Sequence, residues 1–368
     1  MTDLRVAIAP DSFKGTATAT QVTAALADGW LSVRPDDTVI RLPLADGGEG
    51  TLDAFELAVA GARRMPVTVT GPDGRSVDAG WMLLPDNSAV VELAATSGIT
   101  LLDPLQPLDA HTLGFGEAIA AAIDSGVDRL YLAIGGSSST DGGAGALTAL
   151  GARMIDSDGR PVASGGRGLV SVTAIDTTTL RAVPAGGAVI LSDVTNPLLG
   201  PAGAAAVFGP QKGATREQVA DLEAGLIRLA TVLGADPATP GAGAAGGTGF
   251  ALLAWGASIA AGAEAVGEVM HAPEAVASAQ IVITGEGRFD GQSDAGKVPS
   301  YVRSLAEQAG TTPMLVAGAI TAEPVGFTQA VSLTDLAGGS DAAMADTVHW
   351  LREAAALLAS TVHAPATP

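Results

Sequence analysis

The sequence predicts a two-domain α/β protein, and three observations carry that expectation. Strand, glycine-rich turn and helix follow one another twice before Gly61. The same rhythm returns after about residue 275. Between these stretches, short β-rich runs are separated by turn residues, which reads as an antiparallel meander. The simplest architecture is a Rossmann-like three-layer domain from both chain ends, residues 1–62 plus 275–368. An inserted second α/β domain at 63–274 contains the antiparallel strands and carries a glycine–serine loop.

Each element follows from local pattern. Residues 5–9 are an apolar run ending at Pro10, a first strand, and 20–31 are helical. Residues 39–44 form a second strand. Asp46-Gly-Gly-Glu-Gly-Thr51 then opens a helix over 52–60, with Gly61 as its stop. The meander takes 67–70, 77–84 and 89–93, punctuated by Gly71-Pro-Asp-Gly74 and Pro85-Asp-Asn87. Helices are expected at 112–124 and 144–150, and strands at 130–134 and 188–191. The helix 215–233 has a capping box in Thr215 and Gln218 and an apolar stripe in Val219, Leu222, Leu226, Leu229 and Leu233. Strand 280–283, helix 298–308, strand 314–317 and helix 350–358 complete the chain.

Composition narrows function. The 368 residues are 47% hydrophobic and 16% charged, enough to bury a sizeable core and unlike a disordered chain. A net charge of −20 argues against nucleic-acid partners and against anionic membranes. A local basic pocket for one small anion is compatible with it. There is no cysteine, which removes thiol nucleophiles, zinc–thiolate sites and disulfides. His111, His271, His349 and His363 are scattered, so a histidine metal site is not expected. The first residues lack a basic n-region and a long apolar h-region, and the apolar stretch 250–259 is too short to span a bilayer. A soluble cytoplasmic protein is expected.

Three features carry chemistry. First, the basic residues divide into sixteen Arg and three Lys, and each lysine (Lys14, Lys212, Lys297) has a glycine neighbour. A compact ammonium beside a flexible turn can approach a ligand closely. Second, Ile134-Gly-Gly-Ser-Ser-Ser-Thr-Asp-Gly-Gly143 lies between a strand and a helix. Converging backbone N–H groups and the hydroxyls of Ser137, Ser138, Ser139 and Thr140 suit a phosphate; the plain alternative is a turn with Asp141 as helix cap. Third, Asp11, Asp46, Glu49, Asp193, Glu286 and Asp290 sit in turns, mostly just after strands. That edge of an α/β sheet is where ligands bind. Carboxylates there hold Mg²⁺ against phosphates or take a proton from a hydroxyl, although a single such Asp is more often a cap. Together the three features point to phosphoryl transfer.

Two motifs are set aside. Gly241-Ala-Gly-Ala-Ala-Gly246 matches GxGxxG but follows Pro240 rather than a strand, inside a Gly/Ala-rich linker. Gly209-Pro-Gln-Lys-Gly-Ala-Thr215 has the residue types of a P-loop in the wrong order.

The chain resembles the type I glycerate kinase family, the bacterial glycerate 2-kinases. The blocks that carry the resemblance are Ala9-Pro-Asp-Ser-Phe-Lys-Gly15, Leu44-Ala-Asp-Gly-Gly-Glu-Gly-Thr51 and Gly135-Gly-Ser-Ser-Ser-Thr-Asp-Gly-Gly143. They continue in Leu191-Ser-Asp-Val-Thr-Asn-Pro-Leu198, Phe208-Gly-Pro-Gln-Lys-Gly213 and Thr284-Gly-Glu-Gly-Arg-Phe-Asp-Gly-Gln-Ser293, running into Gly296-Lys-Val-Pro299. The departures fall in 235–247 and the carboxyl tail. The resemblance implies an ATP- and Mg²⁺-dependent kinase converting D-glycerate to 2-phosphoglycerate in an interdomain cleft, with a homodimer left open. On it rest the expected roles. Lys14 and Arg288 meet the substrate carboxylate, with Asp11, Ser12 and Asn196 as further substrate contacts. Residues Gly135, Gly136, Ser137, Ser138, Ser139 and Thr140 cradle ATP phosphates, and Lys212 or Lys297 neutralises the transferred group. Asp46, Glu49, Glu286 and Asp290 hold Mg²⁺ or fix the lysines, and Asp193 is the base. Two other readings stay open: a kinase for another small hydroxy-acid, and a non-catalytic sensor of a sugar acid or nucleotide.

Overall fold

The computed structural model describes residues 3–290 and 297–362. Gly291, Gln292, Ser293, Gly296 and His363 lie outside the described residues. The chain divides into two compact units. The first comprises Met1–Asp46, Asp53–Ala60 and Ala261–Pro368, and the second Gly47–Leu52 and Gly61–Ala260. The first unit thus resumes at Ala261 rather than at 275, and Gly47–Leu52 falls to the second.

The first unit is built on a five-stranded parallel sheet. Its order is Gln329–Ser332, Thr312–Ile320, Ile281–Phe289, Arg5–Ile8, Thr38–Arg41. Parallel strands covered on both faces read as continuous apolar runs, and Val6, Ala7 and Ile8 are all fully buried. Alternate residues Val6, Ile8, Ile283, Met314 and Val316 pack into one core with helices Ala19–Val33 and Thr347–Thr361. Helix Val298–Ala309 packs on the two central strands through the alternating positions. These make the expected three layers. Helix Ala19–Val33 starts at a Thr18/Gln21 capping box. It ends in a buried polar knot, where Trp30 Nε1 (2.9 Å), Arg34 Nε (2.6 Å) and Leu4 N (3.0 Å) all donate to Asp37.

Strand order decides where this sheet opens to a ligand. From Arg5–Ile8 the sheet grows one way to Thr38–Arg41 and the other way through Ile281–Phe289. The crevice outside the carboxyl ends of those first two neighbours is therefore the switch point of a doubly wound sheet.

The second unit has a mixed six-stranded sheet. Ser258–Ala260, Ala188–Leu191, Arg129–Ala133 and Ser88–Glu92 are parallel, and Ser76–Leu83 and Arg63–Thr70 continue antiparallel. This is the expected meander attached to an α/β core. The Arg216–Leu233 helix carries the expected Thr215/Gln218 capping box and ends at left-handed Gly234. Leu222, Leu226 and Leu229 are fully buried on its inner face.

Two expectations are corrected. The strand expected at 280–283 runs on to Phe289, so Glu286 and Arg288 stand on a strand and not in a turn. Gly285 has a packing reason: a Cβ there would collide with the Val316 carbonyl of the next strand. The Gly/Ala-rich stretch 235–247 read as a linker is buried from Gly241 on, with Ala242, Ala244 and Thr248 at 0–1% exposure, whereas 235–240 stays half-buried or exposed. It leads into the helical segment Ala244–Trp255, whose Ala245, Gly246 and Gly247 are left-handed (φ 53°, 67° and 88°). No helix of the described residues is long and apolar enough to cross a membrane.

Candidate active site

A cavity of about 520 Å³ opens in the first unit at the switch point. Chain leaving Arg5–Ile8 is pinned back to the neighbouring strand, Ala9 N to Ile283 O and Asp11 N to Gly285 O, each 2.8 Å. This delivers Asp11, Ser12 and Lys14 to the cavity. Asp46 enters after the second strand, Glu286 and Arg288 from the extended central strand, and Asp290 and Lys297 just beyond it. Seven of the sequence-predicted residues thus share one cavity with Asp46.

Its electrostatics are paired. Lys14 Nζ lies 3.2 Å from Asp46 Oδ2, with the lysine 74% exposed. Lys297 Nζ lies 3.7 Å from Glu286 and 3.9 Å from Asp290. Asp46, followed by Asp11 and Glu286, pushes the Lys14 ammonium pKa up against the opposing effect of its desolvation. The Arg288 side chain, unlike its ladder-bonded backbone, makes no hydrogen bond or ion pair among the described residues and keeps its guanidinium donors for a ligand.

Asp11 is the strained member. Burial, then the negative charges of Asp46 and Glu286, raise its pKa from 3.8 to about 7, against Lys14 and the Ser12 N–H (2.6 Å). Linkage gives the sign of the effect on stability. A carboxyl whose folded pKa is raised stabilises the fold fully below about pH 4, and this is lost as pH rises through about 7. Asp11→Asn is therefore expected to match the wild type at pH 4 and to exceed it at pH 8, on the order of 1–3 kcal/mol. Thermal melts across that range check it; equal melting temperatures at pH 8 would refute it.

The metal expectation changes shape. Among the described residues no group of three or more Asp, Glu or His side chains is gathered to hold a metal ion. Asp46, Glu286 and Asp290 line the cavity, whereas Glu49 is exposed and belongs to the second unit. A nucleotide-bound Mg²⁺ needs only one or two protein carboxylates, so one or two of Asp46, Glu286 and Asp290 suffice to fit such an ion.

The second unit holds the glycine–serine loop, between strand Arg129–Ala133 and helix Ala144–Ala149. Its side chains face inward. Ser138 Oγ donates to Ser97 O (2.8 Å), Ser139 Oγ to Asp141 (3.1 Å) and Ser137 Oγ to Ala245 O (3.3 Å). The N–H groups of Gly135, Ser138, Gly142 and Gly143 also donate to protein acceptors. Thr140 Oγ1 is buried without a partner. The expectation that the serine hydroxyls are free donors for phosphate is thus modified: they are spent on the fold. Asp141 is a clamp more than a helix cap, fully buried and accepting from Thr112 N, Thr112 Oγ1, Ser139 Oγ, Gly143 N and Gly145 N.

Lys212 is 3% exposed and donates to Ser137 Oγ (3.3 Å) and to Ser139 O. Burial pulls its pKa down to about 7, against the opposing charge of Asp141. Gly246 explains how the amine fits: a Cβ there would strike Ser139 O and stand 2.9 Å from Lys212 Nζ. Asp193 and Asn196 follow strand Ala188–Leu191, with Asp193 half-buried and Asn196 Nδ2 donating to Ala202 O (2.8 Å).

Sequence reasoning missed several participants. Glu92 accepts from Gly50 N (3.2 Å) and Leu52 N (2.9 Å), capping helix Thr51–Ala58. It stands at a strand end, so the rule that selected Asp46 also reaches it. The cavity wall formed by Leu333, Thr334, Ala343, Met344 and Thr347 has no motif that announces it.

A doubly wound unit with lysine–carboxylate pairs in its switch-point cavity, joined in one chain to a unit with a glycine–serine loop over a buried lysine, defines a phosphotransferase. Known proteins agree. The family model described as the glycerate kinase family matches residues 6–363. The glycerate 2-kinase of Escherichia coli (strain K12) is 40% identical over 328 residues, 86% of each chain. The glycerate kinase of Bacillus subtilis (strain 168) is 40% identical over 333 residues, again 86% of each. A crystal structure from Salmonella typhimurium LT2, provisionally named glycerate kinase 2, superposes with a TM-score of 0.84 at 40% identity over 98% of both chains. The chain belongs to the glycerate kinase family.

Proposed function

We propose that this protein transfers the γ-phosphoryl group of ATP to the 2-hydroxyl of D-glycerate, giving 2-phosphoglycerate and ADP. The observation that carries the reading is the first unit's cavity, whose lining sets three cationic side chains, Lys14, Arg288 and Lys297, beside carboxylates at a sheet switch point. Phosphoryl transfer passes through a loose transition state with charge on the transferred oxygens, so positioning and cations supply most of the catalysis. Lys14, Arg288 and Lys297 take anionic oxygens in this scheme. Asp46 and Glu286 fix the two ammonium groups, and with Asp290 they are the carboxylates that would hold Mg²⁺. The bound ion would neutralise phosphate charge. Asp193 is the proposed base for the substrate hydroxyl, and Lys212 holds the glycine–serine loop. The relatives named glycerate 2-kinase and glycerate kinase support the substrate and the regiochemistry. ATP supply makes the cytoplasm the proposed location.

The test is purified protein with ATP, Mg²⁺ and D-glycerate. Expected is stoichiometric ADP and a phosphate ester that ³¹P NMR assigns to the 2-position and that enolase consumes. ADP formed with another hydroxy-acid and not with glycerate would replace the substrate, and ligand-induced thermal shifts without ADP would make the protein a sensor.

A further inference from the structure

The first unit's cavity is larger than the chemistry assigned to it. A volume of about 520 Å³ falls within the range of pockets that enclose drug-sized ligands, well beyond a three-carbon acid. Its lining falls into two chemical sets. The strand-end set supplies Lys14, Arg288 and Lys297 with their carboxylates. The other set, from segment 333–347, carries no charge: Leu333, Ala343 and Met344 are apolar, the Thr334 and Thr347 hydroxyls already donate to the Gly318 and Ala343 carbonyls, and Ser340 adds one exposed hydroxyl. Met344 is 57% exposed, a large apolar side chain with little protein against it. One anionic end and one apolar end match a nucleoside triphosphate, and switch-point crevices of doubly wound sheets are where nucleotides bind. In the second unit, by contrast, the loop serines and most loop amides are already bonded within the fold.

We propose that the cavity of the first unit is the nucleotide site, with the base and ribose against Leu333, Ala343 and Met344 and the phosphates towards Lys14, Arg288 and Lys297. This rests on the kinase reading and deepens it, because it moves ATP away from the loop 135–143 to which the sequence assigns it.

Photolabelling of the whole protein with 8-azidoadenosine triphosphate and Mg²⁺ tests the placement. Trypsin separates the candidates, since residues 304–352, 130–153 and 229–288 fall between successive basic residues. The expected result is a label on 304–352 that excess ADP suppresses. A label on 130–153, a label within 229–288 that fragment sequencing places on 241–248 rather than on the cavity residues Glu286–Arg288, or no ADP-suppressed label overturns the placement. Met344→Asp gives a second reading at an exposed position that the fold does not depend on. Expected is a rise of about tenfold in KM for ATP with KM for glycerate within about twofold. The reverse pattern makes the cavity the acid site and overturns the proposal. The wild-type assay with glycerate keeps the two ideas apart: ADP formation with the label elsewhere removes only the placement.

Discussion

Asp141→Ala is expected to lower the unfolding free energy of the second unit by about 3–5 kcal/mol, one of the two largest effects anticipated. The carboxylate has no exposure and accepts five hydrogen bonds: Thr112 N (2.9 Å), Thr112 Oγ1 (2.8 Å), Ser139 Oγ, Gly143 N and Gly145 N (each 3.1 Å). Removing it strands buried donors at about 1–3 kcal/mol each before relaxation. It also withdraws the charge that favours the Lys212 ammonium. Asp141→Asn keeps the shape and one acceptor, and is expected to cost about half as much. Urea denaturation followed by tryptophan fluorescence measures this, with Trp81 and Trp255 in the second unit. A loss under 1 kcal/mol for the alanine variant would mean that the loop does not depend on this clamp.

The other large effect is on rate. Lys14→Ala and Asp193→Asn are each expected to lower kcat/KM by at least about 10²-fold, close to 2.7 kcal/mol of transition-state stabilisation. For Lys14 the fold is expected to be unaffected, because the side chain is 74% exposed and its one ion pair among the described residues, with Asp46, is worth little to stability. A Lys14→Ala melting temperature within a degree or two of wild type, together with the lost rate, separates catalysis from folding. Arg160→Ala, which breaks a surface pair with Asp158, is the control and leaves the rate unchanged. Wild-type rates in Lys14→Ala and Asp193→Asn would remove both residues from the machinery.

How much of the fold and site was legible in the sequence depended on the signal each part leaves. Apolar runs bounded by Gly or Pro marked the central strands, because buried parallel strands need little else, but the short edge strands Ser258–Ala260 and Gln329–Ser332 and the pair Arg153–Ile155 and Ala174–Asp176 were not read. The strand Ile281–Phe289 was read too short, since Gly285 and Gly287 look like a turn. Gly285 is a glycine because the neighbouring Val316 backbone comes close, and composition does not distinguish that from chain reversal. The same ambiguity hid residues 241–248, where Gly and Ala serve tight packing, not a linker. Among the site residues, scarce lysines beside glycines did lead to Lys14 and Lys297 in one cavity and Lys212 under the loop. The partners of the loop serines were not legible, because sequence shows that a donor exists and not where it points. The Leu333–Met344 wall left no signal, since such residues occur in any helix.

The buried Lys212 has a practical consequence. Burial disfavours the charged form of its amine, and an opened site would present that amine to an acylating reagent. Only the surrounding fold keeps the reagent away. As the lone lysine of its unit, it can report by mass spectrometry how often that corner breathes open, a clock for local unfolding that needs no engineered label.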